Sequence, residues 1–158
     1  MLQRIASGFV CIAWALWFGG LGSLFLLVTT LFIEDRETAL KAVPRMFLAF
    51  ERYQLLLAAG ALLGAVAWRI LAKSIRVTVL FWMLAAASVP AALGPMLITS
   101  RMEKLRLNGQ SSSPQFKKLH GESMIAYCGE TIVLLAVGLT LPWAMREKEK
   151  SNGTTVTE

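Results

Sequence analysis

The chain has 158 residues, of which 56% are hydrophobic and 16% charged, against about a quarter charged in a soluble domain. Mean hydropathy is +0.58, net charge +6 and the pI near 9.8, a balance that excludes an ordinary soluble domain. The positive charge is read as basic residues flanking membrane spans and meeting anionic headgroups; with no basic–aromatic patch, no nucleic-acid partner is expected.

The first run, 5–33, holds no Asp, Glu, Lys or Arg and exceeds the roughly 20 residues a helix needs to cross the hydrocarbon core. It is too long for a signal-peptide core and is read as a retained first span. Small residues recur at every fourth position: Ser7, Cys11, Ala15, Gly19 and Ser23, with Gly20 and Gly22 beside them. Such a seam lets helix backbones approach closely, so this face is expected to pack against its neighbours.

The connection that follows is amphipathic. Leu40, Val43, Phe47 and Phe50 share a face while Glu37, Lys41 and Arg45 lie elsewhere. This predicts a short interfacial helix between the first and second spans, bent at Pro44.

The second span is placed at 51–72. Its charge-free part, 53–68, is short, and it reaches full length if Arg69 snorkels to the headgroups. Gly60 and Gly64, flanked by Ala61 and Ala65, repeat the small-residue device.

The third span, 77–100, is charge-free and alanine-rich, and Pro90 and Pro95 should kink or loosen its distal half. The basic stretch from Arg101 to Arg106 continues it past the membrane until Asn108-Gly109 ends it. Ser113-Pro114 then has the chemistry of a helix start: serine caps free N–H groups and proline suits the first turn.

The fourth span, 120–145, contains one charged residue deep within its apolar run, Glu130. Carboxylates are costly in hydrocarbon and usually face protein or a water-filled cavity. On a helix His120, Ser123, Tyr127, Glu130 and Thr131 fall within an arc of roughly 100°, a polar stripe. The tail, 146–158, is read as polar and disordered, with a formal glycosylation sequon at Asn152-Gly153-Thr154.

Four spans define an all-α integral membrane four-helix bundle with both termini on the same side, and the expected setting is the plasma (inner) membrane. One end of the bundle collects Thr29, Thr30, Glu51, Arg52, Gln54, Arg101, His120, Ser123 and Tyr127. The candidate polar site is therefore His120, Ser123, Tyr127, Glu130, Gln54, Arg52 and Arg101, with Gln54 and Arg52 as the first expected neighbours of Glu130 and Thr29 or Thr30 next. The other end collects Trp68, Trp82 and Trp143, read as an interfacial aromatic belt. Basic residues divide too evenly between the ends to orient the chain.

Several landmarks are similar to the transmembrane protein 205-like family, also catalogued as domain of unknown function 4149. They are Trp17-Phe18-Gly19-Gly20, then Gly94-Pro95 followed by Arg101, and Phe116-Lys117-Lys118-Leu119-His120-Gly121-Glu122-Ser123. The resemblance implies a four-helix membrane domain, brings no settled activity with it, and points to His120 and Ser123 as polar residues of interest.

No catalytic motif is present, and enzymatic function is not expected. One histidine argues against a membrane haem, and Glu122 points about 160° away from His120, so no metal site is expected there. Cys11 and Cys128 are read as small apolar residues, and no cofactor is expected. Two function classes stay open: a structural or interaction module of the membrane, and a small transporter or proton-handling protein using the buried carboxylate. Expected partners are membrane lipids, copies of the chain, or other membrane proteins.

Overall fold

The computed structural model describes residues 1–146, and these are almost wholly helical. The predicted tail and its sequon lie outside the described residues, except for Arg146. Helix α1 spans Leu2–Glu34 and α2 spans Arg36–Ala72. Helix α3 (Ile75–Gly94) passes into a π-helical turn, Pro95–Thr99, and then into α4 (Ser100–Leu107); α5 is Pro114–Met145. With α3, the π turn and α4 taken as one rod, four helices are long and apolar enough to cross a membrane.

Local chemistry explains each boundary. Asp35 alone separates α1 from α2: its carboxylate accepts from the backbone N–H groups of Glu37 and Thr38, and from the Thr38 hydroxyl. Lys73 ends α2 in the left-handed region at φ 51°, and Ser74 caps α3 by accepting from the Arg76 N–H. The expected stop and start around the last connection are both present. Gly109 takes φ 70° just past α4, and Ser113 Oγ accepts from the Phe116 N–H at 3.1 Å with Pro114 in the first turn of α5.

Of the prolines expected to bend or loosen helices, Pro95 interrupts one, whereas Pro44 and Pro90 lie inside continuous helices. Pro95 has no N–H to give the preceding turn, and the α-helical ladder yields to a π turn there. The segment around Leu40–Phe50 is helical as expected, but it is continuous with the second span. Pro44 sits inside an unbroken α2 of 37 residues, about 55 Å long at 1.5 Å per residue.

Successive helices run antiparallel. Phe9 on α1 meets Gly64 on α2, while Phe50 meets Gly20. Helix α2 packs on α3, α3 on α5, and α1 closes the ring against α5. The core is built from Val10, Ala13 and Trp17 of α1, Ala58, Ala61 and Ala65 of α2, Leu80, Leu84, Ala87 and Ala91 of α3, and Leu134 and Val137 of α5. The outside is apolar as well: Leu56, Leu63, Ile132 and Leu139 are each at least 67% exposed. Such a surface suits hydrocarbon rather than water.

Helix α1 does not pack through the seam its small residues suggested. Ala15, Gly19 and Ser23 are exposed, Ser7 and Cys11 are half-buried, and a Cβ on Gly19 would meet nothing within 4 Å. The buried face is Ala6, Val10, Ala13, Trp17, Leu21 and Leu24. The reason is volume: large side chains on that face fill space left by the alanines and glycines of α2 and α5, so most of the small residues needed for close approach lie on the partners, with Gly20 the exception on α1. Gly64 is the clearest case, since a Cβ there would come within 3.0 Å of both Phe9 and Val10. Gly20 and Gly60 also lie in packed positions, against Phe50 with Tyr53, and against Phe9.

The aromatic belt also needs correcting. Trp68 is buried in the core, whereas Trp82 and Trp143 are exposed. The Arg76 guanidinium stacks over the Trp143 ring at 4.8 Å.

Candidate functional site

Glu130 lies on the inner face of α5, two per cent exposed. Its Oε1 accepts a hydrogen bond from Trp17 Nε1 at 2.8 Å, and Trp17 is itself fully buried. A buried carboxyl without a partner is costly, and the indole N–H supplies a donor from the neighbouring helix.

A second carboxyl is buried nearby. Glu51 on α2 is five per cent exposed, and its Oε1 accepts from the Thr99 hydroxyl, at the end of the π turn, and from the Tyr127 hydroxyl at 3.4 Å. Pro95 contributes through the backbone: the π turn it opens ends at Thr99, which reaches α2. The Tyr127 ring is held against Phe47 with centroids 5.5 Å apart.

Glu51, Gln54, Thr99, Ser123, Tyr127 and Glu130 line one narrow chamber, closed on its apolar side by Pro90, Pro95 and Ile98. It has room for about one water molecule. Gln54 is one per cent exposed, and its Oε1 is a buried acceptor with no hydrogen-bond partner among the described residues. Two carboxyls, a phenol and an orphaned amide oxygen thus share one enclosure. Glu51 and Thr99 also line a wider, more open groove between α2 and α4, of about 450 Å³.

Of the sequence-predicted site, the structure brings together Ser123, Tyr127, Glu130 and Gln54. It does not bring in the rest. His120 is exposed on α5, one turn above Ser123. Arg52 is exposed and lines the outer groove instead, because it is adjacent in sequence to Glu51 and so turned about 100° away from the inner face. Arg101 is exposed beyond the π turn, and Thr29 and Thr30 are exposed on α1. Trp17, Glu51 and Thr99 are site residues the stripe on α5 did not reveal. For Glu51 a signal existed: it stands three residues before Gln54 and seven before Ala58, on the buried face of α2.

Among the described residues no group of three His, Cys, Asp or Glu side chains gathers. What the site can do is pass hydrogen bonds between helices: α1 to α5 through Trp17 and Glu130, α2 to the π turn through Glu51 and Thr99, and α2 to α5 through Glu51 and Tyr127. The fold and site define a multi-pass integral membrane protein with a buried polar cluster among its four helices. Comparison with family models, curated proteins and solved structures finds no match to the chain.

Proposed function

We propose that this chain is a structural or interaction module of the plasma (inner) membrane, with both termini on one face, whose helices are fastened by the polar cluster. The observation that carries the reading is the Trp17–Glu130 hydrogen bond, which ties the first helix to the last. Lipid offers helices no hydrophobic reason to associate, so packing and interhelical hydrogen bonds hold such a bundle together. Its partners are lipids, copies of itself or other membrane proteins, met through its apolar exterior.

Membership of the transmembrane protein 205-like family is part of the same proposal. Its support is convergence of the three landmarks that carry the resemblance: Gly94-Pro95 and Ser123 line the polar chamber, and Trp17 donates to Glu130, which also lines it.

Thermal unfolding in lipid nanodiscs tests the fastening role. Glu130→Gln keeps an acceptor for Trp17 and should melt near wild type, while Glu130→Leu should melt well below it. Equal melting of wild type and the Leu variant would reject the reading.

One observation favours a second reading, proton handling. Gln54, whose Oε1 is buried and unpartnered, lines the same chamber as two carboxyls, and that chamber has room for about one water. Proteoliposomes loaded with a pH-sensitive dye should then show proton flux in wild type that Glu130→Gln abolishes without unfolding the chain. Absence of flux in wild type would remove this reading and leave the first.

A further inference from the structure

The groove between α2 and α4 does not belong to the polar chamber, although the two share a wall at Glu51, Pro95 and Thr99. Its floor is apolar, from Leu48, Leu55, Pro95 and Leu107, and it carries two cations, Arg52 and Lys104. Neither has a carboxylate within ion-pair distance among the described residues. The two acids that also line the groove are engaged elsewhere: Glu51 accepts from Thr99 and Tyr127, and Glu103 pairs with Arg106 at 2.9 Å. Hydroxyl donors leave any charge on Glu51 in place, but with Glu103 offset by Arg106 the groove still sets two cations against one acid, a net positive charge.

Its height in the bundle matters too. Arg52 stands twenty residues before Ala72, the last residue of α2, or about 30 Å along the axis, the thickness of the hydrocarbon core. Leu55 lies within that thickness, Leu48 beyond it. The groove thus crosses the level where acyl chains give way to phosphates.

We infer that this groove binds one anionic phospholipid, its phosphate held by Arg52 and Lys104 and the upper part of an acyl chain lying over Leu55 and Pro95. The arginine fork and the lysine ammonium suit phosphate oxygens, and long basic stems cover apolar surface while their charged ends stay with the headgroup. Juxtaposed basic residues at this depth favour anionic over zwitterionic headgroups. This inference is independent of the role assigned to the polar chamber.

The test is native mass spectrometry of the full chain in mild detergent with equimolar dioleoylphosphatidylglycerol and dioleoylphosphatidylcholine. One phosphatidylglycerol should be retained in preference to phosphatidylcholine. Arg52→Gln and Lys104→Gln should each weaken that retention about fivefold, and the double variant more than tenfold. Arg45→Gln with Lys117→Gln, which removes two exposed cations outside the groove, should leave it unchanged. Ser100→Trp fills the groove while keeping both cations, and should also displace the lipid. Equal retention of the two lipids, retention that survives both the double charge variant and Ser100→Trp, or a lipid-free dimer that the groove variants dissociate would each overturn the proposal.

Discussion

Trp17 on the first helix donates its indole N–H to Glu130 on the last at 2.8 Å, and both side chains are buried. Trp17→Phe keeps most of the aromatic volume but leaves the carboxyl without that donor. The expected loss is about 1–3 kcal/mol, the cost of an unsatisfied buried group, read as a lowered melting midpoint in nanodiscs. A midpoint matching wild type would mean that the hydrogen bond contributes nothing net.

Trp14 makes a different contact with the same helix. Its Nε1 donates to the Leu134 carbonyl at 2.7 Å, and its ring occupies the space where a side chain on Gly138 would stand. Gly138→Ala should therefore destabilise by about 1–3 kcal/mol despite alanine's better helix propensity, because the ring must leave its site. Gly19→Leu should leave the midpoint unchanged, since nothing lies within 4 Å of a Cβ at that position. Reversed effects in the same melting assay would show that α1 packs through its small-residue seam after all.

Thr99 reaches Glu51 only from the end of the π turn. Thr99→Val is nearly isosteric and removes the hydroxyl, so it should cost about 1 kcal/mol through the lost hydrogen bond. Glu51→Gln, which still accepts from Thr99 and Tyr127, should cost less than Glu51→Leu. A Leu variant as stable as the Gln variant would show that the second carboxyl does not fasten the bundle.

Asp35 governs the turn between α1 and α2. The Thr38 hydroxyl, then the backbone N–H groups of Thr38 and Glu37, hold its carboxyl below the usual carboxylate range. A carboxyl lowered in the folded state contributes stability that is fully present above its unfolded value of about 3.9, and that fades as pH falls through the lower folded value. Hydrogen exchange in the first turn of α2, normalised to an unstructured reference, should lose protection in that acid range. In Asp35→Ala the protection should be low at every pH, with no acid step. A persistent step in the variant would place the titrating group elsewhere.

The residues of α5 announce its own inner face. Glu130 could not be left in lipid, and Ser123 and Tyr127 lie on the same side of the helix, so three members of the chamber were legible from spacing alone. Gln54 followed from the order of crossings, which brings the start of the second span beside the start of the fourth. The same reasoning misplaced Arg52, since adjacent residues on a helix face different ways and only one of Glu51 and Arg52 could turn inward. It also credited α1 with a small-residue seam at every fourth position, when the close approaches there depend on Gly64 and Gly138 receiving Phe9 and Trp14, and on Gly20 receiving Phe50.

Four helices long and apolar enough to cross a membrane, and the places where most of them start and stop, were legible in the residues alone. Those properties depend on hydrophobic runs longer than the bilayer core and on local chemistry such as the Ser113-Pro114 start, the Asn108-Gly109 stop and the prolines of the third span. The packed bundle was needed to reveal that Trp17 is the partner of Glu130, that Glu51 is a second buried acid, and that a π turn delivers Thr99 to it. Each of these depends on the rotation of one helix against another. That rotation is set by which large side chain fills which neighbour's gap, a property of pairs of helices that no single helix carries.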